Sequence, residues 1–316
     1  MDIKENQRLA TLASMRVGGP ARFYVTLNEV DDFSALNDFL AEHPGLDKLV
    51  LGACTNIVIS DDGFDGVAIK NNLDFIKIAD SEVEVGAGMM LPRLALVVIE
   101  EGLAGLERVG TVPGTVGGAI WGNAEANGQS ISDSLVAVRW GSFTGQQDWL
   151  TKKECQFGYR SSIFKTRLAR QGIILSAKYT LTKGKPESLR QLWQDDMTLR
   201  KNRQPSDFSC GCFFKNIVLT KLRWRQLVKA LGPEALNGLT LGDLFSTGRL
   251  LDALGLKGSC RGGACISQIH ANFLVNAGQA NAQDVYNLFT YIKSEVKKRT
   301  GIVLENEVQF AGNFTD

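Results

Sequence analysis

Between Gly102 and Gly128 the chain reads GLAGLERVGTVPGTVGGAIWGNAEANG, a run that no single helix or strand absorbs unbroken. Glycines at 110, 114, 117, 118, 122 and 128 crowd around Pro113, so short elements joined by tight turns are expected. Backbone without side chains also lets a flat or phosphorylated ligand approach closely and offers it N–H groups. A plain series of turns in a β-rich domain is the competing reading, and the glycine density around Pro113 favours a ligand platform. A second loop, LGACTNIVISDDGFDG, follows the apolar run from Lys48 to Leu51, and its amides from Gly52 to Asn56 could hold a pyrophosphate. No G-x-G-x-x-G follows this strand and no G-x-x-x-x-G-K-[ST] occurs, so neither a Rossmann domain nor a P-loop NTPase is supported.

A chain of 316 residues is too long for one minimal domain, and two or three modules in one globule are expected. With 35 basic against 34 acidic side chains and a net charge of +1, nothing global points to nucleic acid or an anionic membrane. The opening MDIKENQRLATLASM lacks a basic flank followed by an apolar stretch, and no segment offers about eighteen apolar residues in a row. A cytoplasmic protein is expected. The cysteines at 54, 155, 210, 212, 260 and 265 are then expected as free thiols, since an unexported chain with its own core has little need of disulfides. Cys210, Cys212, Cys260 and Cys265 could alternatively form a four-thiolate metal site, but their spacings fit neither a zinc ribbon nor a common iron–sulfur pattern, and no metal is expected.

The pattern along the chain changes character twice. From Arg22 to about Asn71, the β-type runs RFYVTL, KLVL and GVAIK flank a helical stretch from Val30 to His43, a βαβ-like unit. From Asp74 to Leu181, strand-like runs (VEVGAG, SLVAVRW, IILSAKYTL) surround one helix near Pro92 to Glu101. Helices return from Glu187: one ends near Arg203, and another places Val285, Leu288, Phe289, Ile292 and Val296 on a single face. VLENEVQFAG reads as a closing strand. The fold class is α+β, with expected divisions at 1–72, 73–186, 187–302 and 303–316.

The segments RVGGPA, LGACTN, PGTVGGA, FGYRSSIFK, GCFFKN, LKGSCRGGA, HANFLVN and LENEV stand in an order that resembles the UDP-N-acetylenolpyruvoylglucosamine reductase family from about residue 11 to 312. About fifty residues separate FGYR from GCFFKN, which resembles the shorter type of that family without a lid insertion. The resemblance implies an FAD-binding fold of the vanillyl-alcohol oxidase class, with two α+β lobes (1–72 and 73–186), a substrate-binding domain (187–302) and a C-terminal strand returning to the active site. It further implies non-covalent FAD, NADPH as reductant and a ping-pong reduction of UDP-N-acetylglucosamine enolpyruvate to UDP-N-acetylmuramate, by a monomer of the cytoplasm that serves peptidoglycan precursor synthesis. FAD contacts are implied at Gly52, Ala53, Cys54, Thr55, Asn56, Pro113, Gly114, Gly117, Gly118, Asn123 and Gly128.

Hydride delivered from flavin N5 to the terminal carbon of an enol ether leaves negative charge shared with the neighbouring carboxylate. A fixed cation must hold that charge and an acid must protonate the other carbon. Arg160 in FGYR matches the family's catalytic arginine, a planar donor able to grip a carboxylate with two hydrogen bonds. Glu307 in LENEV matches the acidic residue near the substrate carboxylate; Glu305 shares its face on an ideal strand, and the motif alone favours Glu307. Cys212 stands where most relatives carry a proton-donating serine, and a thiol is a competent acid for that step. Its plainer reading is a buried, inert cysteine. Arg203, Asn216 and His270 match contacts to the sugar nucleotide, against the plainer readings of a helix cap for Arg203 and a structural histidine for His270.

The chain departs from the family pattern at Ala53 and Cys54 in the first loop, at Glu125 and Asn127, and at Gln309. A carboxylate at 125 disfavours an anionic cofactor unless it points outward or meets a cation. Two other readings stand beside the reductase: a flavin enzyme with another substrate, and a degenerate member that binds flavin or sugar nucleotide without turnover.

Overall fold

The computed structural model describes residues 1–315, which divide into two compact units. The first comprises Met1–Gln7, Ala21–Cys54 and Phe64–Asn202; the second comprises Arg8–Pro20, Thr55–Gly63 and the chain from Arg203 onward. Among the described residues no helix is long and apolar enough to cross a membrane.

In the first unit the βαβ pattern becomes parallel pairing. Strand Phe64–Asn71 lies between Pro20–Leu27 and Asp47–Leu51, parallel to both, while Asp2–Arg8 adds an edge. Helix Asp32–Glu42 is the crossover, and its Phe33, Leu36 and Leu40 bury against Val25, Leu27, Val67 and Ile69. The remainder of the unit is built on a five-stranded antiparallel sheet in the order Gln147–Thr151, Leu135–Ser142, Gly172–Thr180, Glu82–Gly86, Ile76–Ala79. Helix Leu91–Glu100 has Pro92 in its first turn, where a missing N–H loses nothing, and buries Leu91, Leu94, Val98 and Ile99. Two separate apolar clusters therefore support this unit.

The second unit gathers three separate stretches of chain around one core. Its sheet runs Phe208–Cys212, Phe273–Asn276, Ala264–Ile266, Cys260–Arg261, all antiparallel. Helix Ala282–Thr300 turns its expected face inward: Val285, Leu288, Phe289, Ile292 and Val296 are all buried, and Phe289 stacks on Phe214 with centroids 5.0 Å apart. The helix opens with a capping box between Asn281 and Asp284, and both oxygens of Asp61 accept from the amides of Ala282 and Gln283. The early residues Met15, Val17 and Val58 complete this core.

The closing strand is shorter than the sequence suggests. Only Gln309–Ala311 pairs, parallel to Ile57–Ile59, and the residues from 302 to 308 are irregular. Glu305 and Glu307 thus lie outside the strand, flanking an isolated bridge between Asn306 and Phe214, so the two-residue strand period does not relate their side chains.

The cysteine expectation is also corrected. Cys260 and Cys265 face each other as a cross-strand pair in a hairpin turned by Gly262 and Gly263, and they form a disulfide. A Cα separation of 4.1 Å brings the two side chains together without any distant segment being recruited, which is why compartment arguments missed it. Cys54, Cys155, Cys210 and Cys212 stand outside that disulfide.

Gly63 tests the joint between the early segments of the second unit. Its φ is +87°, and a Cβ there would lie 1.9 Å from the carbonyl oxygen of Pro20. Replacing Gly63 with alanine is expected to lower the unfolding free energy by about 2–3 kcal/mol, as overpacking and a left-handed backbone together require. A urea titration that leaves the midpoint unchanged would refute this account of the joint.

Candidate active site

The first unit presents the glycine platform. Thr115 caps helix Val116–Gly122, its Oγ1 accepting from the amide of Gly118 at 3.3 Å. A Cβ on Gly52 would come within 2.5 Å of that same oxygen, so only glycine lets the end of strand Asp47–Leu51 abut the cap. Gly117 is also held close to Ala87, whose Cβ would lie 2.9 Å from an added Cβ and whose carbonyl accepts its amide at 2.8 Å. Gly118 faces the other way: it is exposed, and a Cβ there would meet nothing but Thr115 Oγ1 at 3.4 Å. Pro113 is exposed and Gly114 has a φ of +148°.

Cys54 turns inward. Its backbone is left-handed (φ +53°), its side chain is only 6% exposed, and its Sγ lies 3.7 Å from the carbonyl oxygen of Gly52. Burial pushes the thiol pKa up, so it stays neutral. The side chain that the sequence placed beside the cofactor is therefore buried within the loop, while Gly118 is exposed backbone and Gly52 is half-buried. That arrangement fits a diphosphate-bearing cofactor.

Asn127 and Gly128 form the two-residue turn of a small hairpin, with Ala126 opposite Gln129 and both turn residues at positive φ. Gly128 thus has a turn to explain it, and Asn127 suits the same turn. Nearby, Gly158 and Ser161 bridge across Tyr159 and Arg160, which puts Arg160 at φ +50°, a conformation that disfavours a side chain by about 1–2 kcal/mol. The turn is clamped to the platform's far end: Asn123 Nδ2 donates to the Gly158 carbonyl at 2.9 Å, Ser162 Oγ to that of Trp121 at 2.7 Å and Arg160 Nη2 to that of Glu125 at 3.4 Å. Lys165 donates to the carbonyl of Arg160 at 3.3 Å and lies over the Trp121 ring.

In the second unit GCFFKN is fastened along both edges. On one side Cys212 pairs with Phe273 beyond a bulge, the amide of Phe213 donates to Asn272 O at 2.9 Å, and the Asn272 side chain bonds both the N–H and C=O of Phe214, at 3.1 and 2.7 Å. On the other side the Glu307 amide donates to Phe213 O at 2.9 Å and the Lys215 amide to Glu305 O at 2.9 Å. Cys212, half-buried, and Glu307 are thereby brought to neighbouring positions. The carbonyl of Glu307 also accepts from Asn56 Nδ2 and from Gln309 Nε2, each at 3.2 Å. Glu305 is exposed and engaged by Arg223 at 3.2 Å and Lys215 at 3.6 Å.

The remaining sequence candidates divide. Asn216 Oδ1 accepts from the amide of Thr247 at 3.2 Å, at the start of helix Thr247–Ala253. Arg203 is exposed at the end of helix Pro186–Arg203. His270 packs against Gly248 and Phe273, and its Nδ1 accepts the amide of Asn272 at 3.2 Å, which puts the ring proton on Nε2. Asn272, 2% exposed, has a structural role that HANFLVN does not reveal, because its partner Phe214 lies 58 residues away.

The first α+β unit, with its glycine platform, is of the flavin-binding class. A family model described as an FAD binding domain matches residues 21–146, and one described as the C-terminal domain of UDP-N-acetylenolpyruvoylglucosamine reductase matches residues 204–311. The UDP-N-acetylenolpyruvoylglucosamine reductase of Anoxybacillus flavithermus is 34% identical over 313 residues, 98% of this chain and 94% of that protein. The reductase of Bacillus subtilis is 33% identical over 310 residues, covering 97% and 93%. The crystal structure of the reductase from Thermus caldophilus aligns over 98% of both chains with a TM-score of 0.74 and 29% identity. The chain belongs to the UDP-N-acetylenolpyruvoylglucosamine reductase family.

Burial lowers the pKa of His270, opposed by its backbone hydrogen bond, so the folded state favours the neutral ring. The unfolded chain takes up that proton near pH 6.5. Stability from this group is therefore present above that pH and lost as pH falls toward the folded pKa. The variant H270Q is expected to show a shallower loss of stability between pH 7 and 5 in chemical denaturation; identical slopes would contradict the assignment.

Proposed function

We propose that the chain catalyses the FAD-dependent reduction of UDP-N-acetylglucosamine enolpyruvate to UDP-N-acetylmuramate for peptidoglycan precursor synthesis, with NADPH as the reductant. Family membership over nearly the whole chain supports the reaction. The chemistry FAD supplies when bound is two-electron carriage, hydride being taken from NADPH and given to the terminal carbon of the enol ether. Gly52, Ala53, Cys54, Thr55 and Asn56, with Pro113, Gly114, Gly117 and Gly118, would hold the cofactor, and Asn123 and Gly128 would shape its far edge. Both nucleotide substrates being soluble, the enzyme is proposed to act as a monomer in the cytoplasm, with no nucleic-acid or membrane partner.

Arg160 is assigned to the substrate carboxylate, where its guanidinium holds the charge that develops when hydride arrives. The Cys212 thiol is assigned as the acid that gives a proton to the carbon bearing that charge. Glu307, in its protonated form, donates a hydrogen bond to the same charge. Arg203, Asn216 and His270 are assigned to the sugar nucleotide, His270 through its Nε2–H. The observation that carries this reading is the zippering of Glu307 to Phe213, directly beside Cys212, while Glu305 is engaged by Lys215 and Arg223.

Mixing NADPH-reduced enzyme anaerobically with the enolpyruvyl sugar nucleotide is expected to reoxidise the flavin and yield UDP-N-acetylmuramate. In the same experiment Cys212→Ser should keep the rate within about tenfold, and Cys212→Ala should lower it about 10²–10⁴-fold, the usual value of a positioned acid. Equal rates in all three proteins would remove Cys212 from the mechanism.

A further inference from the structure

We infer that Lys70 is the protein's counter-charge for the diphosphate of FAD, holding the 52–56 loop from behind while lending it one positive charge. The inference rests on the reading of that loop and of Gly118 as the cofactor platform.

Lys70 lies near the end of strand Phe64–Asn71, opposite Leu51 on one side and Thr26 on the other. Strand alternation puts its side chain on the face of Ala68 and away from Val67 and Ile69, which enter the apolar core. From there its ammonium reaches the loop and donates to the carbonyl of Gly52 at 2.6 Å. Cys54, packed on the same side, is neutral. Tyr24, two residues before Thr26 on the neighbouring strand, is 8% exposed, and burial pushes its pKa up, so it too is neutral. Among the described residues no carboxylate forms an ion pair or hydrogen bond with Lys70.

A half-buried ammonium satisfied by one carbonyl is an unbalanced charge, because desolvation disfavours it and a neutral acceptor returns only part of the loss. Structural lysines escape this by reaching solvent or meeting a carboxylate. Lys70 is only partly exposed and meets no carboxylate among the described residues, and the backbone it touches belongs to the glycine whose closeness to Thr115 shapes the platform. A diphosphate on the outer face of that loop would complete the pairing. The amide dipoles and the ammonium then act on the anion from the same side, the one through contact and the other through the Gly52 peptide. Loop positioning alone would be served by any donor at that place, whereas the charge matters only toward an anion.

The test is FAD rebinding to the deflavinated full-length protein, followed by flavin fluorescence, together with FAD release from the holoenzyme on dilution. Lys70→Met should weaken FAD at least about tenfold, a loss of about 1.4 kcal/mol and typical of a charge-assisted contact. Lys70→Arg should stay within about threefold of the wild type. Adenosine 5′-diphosphate, used as a competitor, should lose affinity for K70M by a similar factor, and riboflavin, which lacks phosphate, should not. Unchanged FAD affinity in K70M overturns the inference. So does an equal loss for riboflavin and adenosine diphosphate, or a fall in apoprotein melting temperature that K70R fails to restore, since either marks a purely structural lysine. Gly118→Val should also weaken FAD; if it does not, the platform reading itself fails, a result separable from failure at Lys70.

Discussion

The side chain of Asn272 makes two hydrogen bonds to the N–H and C=O of one residue, Phe214, and the candidate site segment of the second unit depends on it. An asparagine amide offers a donor and an acceptor in one plane, so it substitutes for a neighbouring strand at the point where strand Phe273–Asn276 can no longer pair. Beyond the bulge at Cys212 the backbone would otherwise have polar groups buried without partners. With them satisfied, GCFFKN stays extended as far as Lys215, and its opposite edge accepts the amides of Glu307 and Val308 at Phe213 and donates the Lys215 amide to the Glu305 carbonyl. The order Asn272, Phe213, Glu307 is thus a single hydrogen-bonded layer, and the thiol at 212 and the carboxyl at 307 inherit their places from it.

The first unit solves a different problem with glycine. Strand end, helix cap and loop meet at Gly52, Thr115 and Gly117 more closely than any side chain permits, and this leaves Gly118 to present bare backbone outward. The two substitutions in the loop are absorbed by geometry. Ala53 is small, and Cys54 enters a left-handed conformation with its thiol buried within the loop. Glu125 contributes its carbonyl to Arg160, so the arginine's position depends on the backbone at 125 more than on the residue type there.

Periodicity revealed the helices at Asp32–Glu42, Leu91–Glu100 and Ala282–Thr300, because each buries an apolar stripe that repeats every three or four residues. Three strands of the five-stranded antiparallel sheet, Glu82–Gly86, Leu135–Ser142 and Gly172–Thr180, were legible as apolar, β-type runs, whereas the edge strands Ile76–Ala79 and Gln147–Thr151 were not. What escaped the sequence was contact between distant segments. Nothing in Arg8–Pro20 or Thr55–Gly63 announces that these residues join the later unit, and nothing in LENEV shows that its carboxylates precede the strand. The motif order gave the candidate site residues, but Lys70 lies in no motif and its acceptor, the Gly52 carbonyl, is a backbone atom without a sequence signature. The disulfide was missed because general expectations about compartments say nothing about two cysteines opposed across a glycine turn.

The pairing of Asp61 with the start of helix Ala282–Thr300 spans 221 residues, and that of Asn276 with Met15 spans 261. On a ribosome adding about 5–20 residues per second, the early stretches emerge roughly 10–50 s before their partners exist. Through that interval Ile57–Ile59 is a bare apolar strand awaiting Gln309–Ala311. Such a strand is a natural client for a chaperone that shields nascent chains, and the yield of native protein depends on how long it is kept from pairing with another copy.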